Sequence, residues 1–201
     1  MKSDNSALSD FLIKTGHEIV NIMTPLEHIE YLEDDVVAAR VARGERLGRQ
    51  LGRIGRIVSC EKSDESYDFS EFIYDIREKC RKAGINASME NKNYLSIDTI
   101  KNKKLLSAVI DEIVMNWKMH GKSEFSINIA DEKTIVFKND YDSSSLKNTG
   151  TTKDELSKPF VKSSASGSGL GLYIIELASR EGGFNWNLSA DEKYFSLSLS
   201  F

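Results

Sequence analysis

Two polar stretches of the chain carry the residue types that phosphoryl transfer requires. The first, residues 17–21, reads HEIVN: the imidazole of His17 can act as a nucleophile, the carboxylate of Glu18 can accept its proton, and the amide of Asn21 lies one helical turn later. The second, residues 167–171, reads GSGLG and leads into a predicted helix, where backbone N–H groups can bind phosphate oxygens. Together they predict transfer of a nucleotide phosphoryl group to His17.

The reactivity of His17 depends on its exposure. On the predicted first helix it lies two residues from each of the seam positions Thr15 and Ile19, which turns it towards solvent. The alternative is an ordinary solvated surface histidine, and the spacing alone does not decide between the two.

The N-terminal part of the chain is predicted to form a helical hairpin. Apolar residues recur at steps of three and four over residues 8–29 and form a similar seam over residues 37–58, and Asp34 and Asp35 lie in the predicted connection. Because two helices alone bury little apolar surface, we expect a homodimer that forms a four-helix bundle. The seam positions are Leu8, Leu12, Thr15, Ile19, Ile22, Leu26 and Ile29, then Val37, Val41, Leu47, Leu51, Ile54 and Val58.

The rest of the chain follows a polar linker at residues 61–66 and changes its periodicity. The fold class is therefore predicted as α+β: a helical hairpin in residues 1–63 and an α/β sandwich in residues 68–201. The long loop over residues 140–168 is predicted to cover a ligand. The predicted elements are helices at 69–83, 103–120 and 169–180 and strands at 85–90, 125–129, 134–138, 186–189 and 195–201.

Three polar residues recur every four positions on the predicted helix 103–120: Glu112, Asn116 and His120. This spacing places them on one helical face, which we expect to lie opposite the apolar one. A solvated face would give the same spacing, so the alternative stays open.

The motifs resemble those of bacterial two-component histidine kinases. HEIVN is similar to their phosphoacceptor box, residues 112–120 to their N box, KPFVK at 158–162 to their F box, and residues 167–171 to their G2 box. The resemblance covers residues 8–201 and implies a dimerisation and phosphotransfer hairpin followed by a histidine-kinase-type ATP-binding domain.

The resemblance also implies site residues and partners. His17 would accept the phosphoryl group, Glu18 would assist it, and Asn21 would position water for dephosphorylation. ATP and Mg²⁺ would bind in the second domain with Asn116 as a metal ligand, and a response-regulator receiver domain would accept the phosphoryl group. Since the sequence shows no sensor domain, we expect the input to come from another protein, such as an upstream sensor, or from the expression level. The implied nucleotide-binding residues are Glu112, Asn116, His120, Asn139, Asp140, Lys158, Gly167, Gly169, Leu170 and Gly171.

Two places depart from the family pattern. The proline that usually follows the amide of the phosphoacceptor box is replaced by Ile22, with Pro25 later. The G1 box, usually Asp-x-Gly-x-Gly, has Asn139 where the aspartate that reads the adenine is expected, with Asp140 as a substitute if the strand ends one residue later. Loss of that charged hydrogen bond would weaken ATP binding by roughly ten- to a hundredfold.

Arginines recur at steps of three or four along the predicted second helix, interleaved with Gly44, Gly48, Gly52 and Gly55. They predict a continuous basic face, which is either solvated and paired with nearby acids or docks an acidic receiver domain. Nucleic acid is disfavoured, because no aromatic residues are interleaved. The glycines suggest close helix packing in the bundle. The arginines are Arg40, Arg43, Arg46, Arg49, Arg53 and Arg56.

Composition narrows the function class. The net charge of -4 argues against general nucleic-acid binding, and the absence of a leader and of a long apolar run predicts a cytoplasmic protein without a membrane span. The two cysteines, Cys60 and Cys80, are read as core residues. Two other functions stay open: a histidine phosphotransfer protein that does not use ATP, and a non-catalytic module that sequesters a regulator.

Overall fold

The computed structural model describes two compact units, residues 1–52 and residues 53–201. Their division falls within one long helix. The predicted domain boundary at 63–68 lies mostly outside the described residues, so it stays a prediction. The residues that the structure describes are 11, 14–22, 33–58, 67–90, 103–141, 153–161, 168–191 and 193–201.

The first unit contains the predicted pair of helices as far as it is described. Residues 14–22 form helix α1, and α2 spans Asp34–Val58 with acidic residues in its first turn. Gly44 of α2 packs against Ile22 of α1, because a Cβ built on Gly44 would lie 3.4 Å from the Ile22 Cγ2 atom. The two helices therefore contact each other, and the parts of the first predicted helix beyond residues 11 and 14–22 lie outside the described residues.

The predicted apolar seam of these helices is partly buried within one copy of the chain. Ile22 and Leu47 are buried, whereas Ile19 is 44% exposed and Val41 is 45% exposed. Glu18 is buried as well, and it forms an ion pair with Arg43. The packing of the exposed seam residues in a dimer stays a prediction.

The second unit continues from the end of α2 into an α/β sandwich. The bounds of the helices match the predicted ones closely, whereas β2, β3 and β4 run longer than the predicted segments and β1 is shorter. After α2 come α3 Phe69–Ala83, β1 Ala87–Glu90, α4 Lys103–His120, β2 Gly121–Asp131, β3 Thr134–Tyr141, α5 Lys153–Leu156, α6 Gly171–Gly182, β4 Asn185–Ala190 and β5 Tyr194–Ser200.

The strands form one mixed sheet of five strands in the order β1-β2-β3-β5-β4. β1 pairs with β2 in parallel, and the other neighbours are antiparallel. Alternate residues of β3, Ile135 and Phe137 among them, are buried and face the helical layer of α3, α4 and α6. The predicted α+β class and the sandwich architecture are confirmed.

The long loop predicted before α6 contains regular structure. The predicted loop at residues 140–168 contains the short helix α5, whose Leu156 is buried, and Lys153 of α5 donates a 2.7 Å hydrogen bond to the carbonyl oxygen of Trp186 in β4.

Cys80 is buried in the core, and burial raises the pKa of its thiol to about 11, which makes it unreactive. Cys60 lies outside the described residues.

Candidate functional site

His17 lies on the outer surface of α1. Its side chain is exposed, as its spacing from Thr15 and Ile19 predicts. An exposed imidazole on a helix is accessible to a phosphoryl donor, and this is the property that a phosphoacceptor requires. The role of His17 itself stays a prediction.

The two neighbours assigned to His17 behave differently. Asn21 is exposed on the same helix, and its main-chain carbonyl oxygen accepts a 3.4 Å hydrogen bond from Arg40. Glu18 is buried, and its carboxylate accepts a hydrogen bond from the guanidinium of Arg43 on α2. The carboxylate is thus directed at α2, and its predicted role as proton acceptor would have to compete with this ion pair.

Helix α4 carries the second group of predicted residues, and their face differs from the expected one. Asn116 comes about two turns after Val109, which is fully buried, so it shares the side of Val109 and does not lie opposite the apolar face. Glu112 is only 3% exposed, while Asn116 and His120 are half-buried. The expectation of an opposite face was wrong, because Glu112 and Asn116 each follow a buried apolar residue, Leu105 and Val109 respectively, by about two helical turns.

The carboxylate of Glu112 is held by a residue from another helix. Arg53 of α2 donates to Glu112 through Nη1 and to Asp111 through Nη2, the latter at 3.3 Å. Lys79 of α3 bonds to Asp111 as well. A charge network therefore joins α2, α3 and α4 inside the second unit, with the buried Glu112 at its inner end.

Helices α4 and α6 pack against each other. A Cβ built on Gly182, at the end of α6, would lie 3.7 Å from the Cδ1 atom of Leu105, at the beginning of α4. Glu112 and Asn116 of α4 offer oxygen atoms suited to a divalent cation, and the start of α6 offers N–H groups suited to phosphate. The chemistry of the described residues therefore fits a nucleotide with its metal ion.

The described part of the glycine run makes a tight turn before α6. Gly169 has φ +74°, and its carbonyl oxygen accepts a 2.8 Å hydrogen bond from the N–H of Phe160, which itself has φ +65°. Leu170, the N-cap residue directly before α6, is fully buried, and its N–H donates to the Ser168 hydroxyl oxygen at 3.2 Å. The turn thus fixes where α6 begins, and no side chain caps the helix start at Leu170.

The close approach at Gly169 excludes a side chain. A Cβ there would lie 2.6 Å from the carbonyl carbon of Phe160 and 2.8 Å from the carbonyl oxygen of Val161, and both are backbone atoms. The predicted F box and G2 box are therefore joined by main-chain contact. Gly171 starts α6, Lys158 is exposed in a turn after α5, and Gly167 lies outside the described residues.

The two candidates for the G1 position, Asn139 and Asp140, have different surroundings. Asn139 is buried on the helix-facing side of β3, in alternation with Phe137, and its Nδ2 atom donates a 3.0 Å hydrogen bond to the carbonyl oxygen of Asp140. Asp140, the proposed substitute, is instead used in the sheet: its carboxylate oxygens accept bonds of 2.7–3.1 Å from the main chain of residues 122–124 and the Ser123 hydroxyl.

The environment of Asp140 explains why it is a poor adenine reader. Burial alone would raise the pKa of its carboxyl group, but the hydrogen bonds from Ser123, Glu124 and Lys122 outweigh burial and lower the pKa to about 2. A carboxylate has about four acceptor positions, and these bonds occupy them. The substitution that the sequence suggested for Asp140 is therefore corrected, and Asn139 remains as the candidate at this position.

The arginines of α2 do not form one continuous face. A three-residue step falls about 60° short of a full helical turn, so successive arginines wind around the helix. Arg40 and Arg43 bond to α1, Arg49 pairs with Glu45, and Arg53 pairs with Asp111 and Glu112. The alternative of arginines paired with nearby acids is the better description, and the docking face is corrected.

The glycines of α2 fit close helix packing only in part. Gly44 contacts α1, whereas a Cβ on Gly48, Gly52 or Gly55 would meet no described atom within 4 Å. The reading that all of them serve close approach is therefore confirmed for Gly44 alone.

Sequence reasoning missed two features of the site. Arg53 was assigned to a surface although it bonds to Glu112, and no local signal could reveal a partner so distant in the sequence. Phe160 takes a positive φ that side chains rarely adopt, which its sequence neighbours do not indicate. Among the residues that the structure describes, no cluster of three or more His, Cys, Asp or Glu side chains could hold a metal ion, and no helix is long and apolar enough to cross a membrane.

Comparison with solved structures identifies the fold. The structure of Acinetobacter baumannii histidine kinase AdeS aligns at a TM-score of 0.59 and 14% sequence identity, over 92% of this chain and 94% of AdeS. Full-length ShkA in complex with AMPPNP aligns at a TM-score of 0.52 and 15% identity, over 98% of this chain and 45% of ShkA. No protein-family model and no curated protein matches the sequence. The chain thus has the fold of a histidine kinase core, as its motifs predict.

Proposed function

We propose that this chain is a histidine kinase core that autophosphorylates His17 from ATP and passes the phosphoryl group to an aspartate of a response regulator. The observation that carries the proposal is the combination of an exposed His17 on a helical unit with a sandwich in which α4, the helix of Asn116, packs against α6, the helix that follows the glycine turn. The similarity to AdeS and to the AMPPNP complex of ShkA supports it.

In this proposal the second unit binds ATP together with Mg²⁺, and ATP supplies the phosphoryl group. The amide oxygen of Asn116 would hold the metal ion, with Glu112 beside it. The N–H groups between Gly169 and Gly171 would bind phosphate oxygens, and Asn139 would face the base. Because an amide replaces the usual carboxylate there, we expect affinity for ATP to be low.

The first unit would supply the acceptor. A ring nitrogen of His17 would take the phosphoryl group, and Glu18 would take the imidazole proton if its bond to Arg43 loosens. Asn21 would position water for dephosphorylation. The proposal includes a homodimer built on α1 and α2, a receiver domain as the acceptor, and an upstream sensor protein as the source of the signal.

The decisive experiment is incubation of the purified protein with Mg²⁺ and ATP labelled on its γ-phosphate. We expect label that is labile to acid and stable to base, as phosphohistidine is. The label should disappear in His17→Gln and in Asn116→Ala and persist in His28→Gln, which changes the other histidine of the N-terminal segment.

The outcomes of this experiment test autophosphorylation and the identity of the acceptor separately. Unfolding curves of every variant would show that loss of label does not come from loss of the fold. An absence of label on folded wild-type protein would refute autophosphorylation, and label that survives His17→Gln would refute the acceptor.

A second function is favoured by one specific observation. Asn139 stands where the resemblance expects a carboxylate, and the carboxylate of Asp140 is used within the sheet. A histidine phosphotransfer protein that no longer uses ATP would tolerate both. It predicts that His17 is labelled by a phosphorylated receiver domain and not by ATP, so the two donors distinguish the functions.

A further inference from the structure

Glu112 is a buried acid for which stability offers no sufficient reason. It lies on α4 beside apolar positions, and its side chain is 2% exposed. A buried ion pair is often no more stabilising than well-packed apolar residues of similar volume. A leucine at this position would cover the same part of the core. We therefore expect the charge or the oxygen atoms of this carboxylate to have a function.

Arg53 is the residue that pairs with this carboxylate and fixes its direction. Its Nη1 atom bonds to Glu112 while its Nη2 atom lies 3.3 Å from Asp111, so the planar guanidinium spans two neighbouring acids of α4. The Arg53 side chain is 16% exposed, which limits screening by solvent. A guanidinium held at two points leaves Glu112 little freedom to rotate.

The position of Glu112 ties this ion pair to Asn116. The two residues are one helical turn apart on the same side of α4, and α6 packs against that helix. Groups that orient the residues around a metal ion typically change metal affinity or activity 10- to 100-fold when they are lost.

We infer that Arg53 is a positioning residue of the nucleotide site, which acts on bound metal and nucleotide through Glu112. The inference rests on the proposed function, because it assumes that ATP with Mg²⁺ binds between α4 and α6. It also gives α2 a second use: the helix that packs against the phosphoacceptor helix holds an acid of the nucleotide site at its other end.

The test is a double-mutant cycle on nucleotide affinity. Binding of AMPPNP with Mg²⁺ is measured by calorimetry for wild type, Arg53→Met, Glu112→Gln and the double variant. We expect each single change to weaken binding about tenfold and the double change to weaken it no further, because Arg53 acts only through Glu112. Arg53→Lys should recover part of the affinity, since the cation is kept.

The matched control is Lys79→Met, which removes a cation from the same network without touching Glu112. It should leave the affinity within about twofold of wild type. Urea unfolding of each variant distinguishes a structural effect from an effect on the site. A purely structural effect would lower the free energy of unfolding and leave the nucleotide affinity of the folded protein unchanged.

The outcomes separate the inference from the function beneath it. If wild type binds the nucleotide and Arg53→Met binds it equally well, the inference is overturned while the proposed function stands. Additive losses in the double variant, or an equal loss in Lys79→Met, would overturn it too. If wild-type protein binds no nucleotide at millimolar concentration, ATP use fails and the inference fails with it.

Discussion

Replacing Gly169 by alanine separates a structural glycine from one needed only for phosphate binding. The residue has φ +74°, which costs a residue with a Cβ about 1–2 kcal/mol. The new Cβ would also lie 2.6 Å from the Phe160 carbonyl carbon and 2.7 Å from its Cα atom. Backbone atoms cannot rotate away, and forcing them apart costs about 1–3 kcal/mol more. We expect Gly169→Ala to lower the free energy of unfolding by about 2–5 kcal/mol.

The matched control is Gly183→Ala. Gly183 ends α6 with φ +70°, but a Cβ there would meet no described atom within 4 Å. It should therefore cost only the backbone strain, about 1–2 kcal/mol. The difference between the two variants measures the clash with Phe160 by itself.

Unfolding in urea, followed by tryptophan fluorescence, gives both values. The two tryptophans, Trp117 and Trp186, belong to the second unit, so the signal reports that unit. Equal losses in the two variants would refute the close approach of Gly169 to Phe160. Unchanged stability together with lost nucleotide binding would mean that the glycine serves the ligand alone.

Two other predictions test the sheet and the hairpin. Asp140→Asn should cost on the order of 1–2 kcal/mol at pH 7, after allowance for screening. Because the pKa of Asp140 is lowered from 3.8 to about 2 in the folded state, this contribution is present above pH 4 and is lost as the pH falls from about 4 to 2. Urea unfolding at several pH values measures it, and a difference between wild type and variant that persists undiminished near pH 2 would contradict the assignment. Gly48→Ala and Gly52→Ala should each stabilise α2 by up to about 1 kcal/mol, since a Cβ there meets no described atom, whereas Gly44→Ala should gain less because it contacts Ile22. Thermal unfolding and sedimentation check this, and a weakened dimer in the first two variants would show that a second copy packs against them.

Helix bounds in the second unit could be predicted because their signals are local. Asp68 accepts a 2.7 Å hydrogen bond from the N–H of Ser70 at the start of α3, and Gly84 ends that helix with φ +75°. Residues of these types at these places are readable from the sequence.

The beginning of β2 could not be predicted in the same way. Residues 121–124 are polar and show no alternation, and their main chain is held by Asp140 and by the indole of Trp117, which donates to the Glu124 carbonyl oxygen at 3.1 Å. Both partners lie elsewhere in the sequence. The assignment of Asp140 to the adenine failed for the same reason, since nothing near it indicates that residues 122–124 occupy its carboxylate.

The arginines of α2 have a spacing that the sequence shows and partners that it does not show. Their spacing suggested a surface for an acidic partner, yet Arg43 pairs with Glu18 in the first unit and Arg53 pairs with Glu112 in the second. Both acids are buried, and removing either arginine would leave a buried charge without its partner, which typically costs about 3–5 kcal/mol. One helix thus supplies the cation for an acid next to the proposed phosphoacceptor and for an acid next to the proposed metal ligand. Loss of Arg43 is therefore expected to affect the proposed acceptor and loss of Arg53 the proposed nucleotide site, whereas loss of a docking arginine would leave both unchanged.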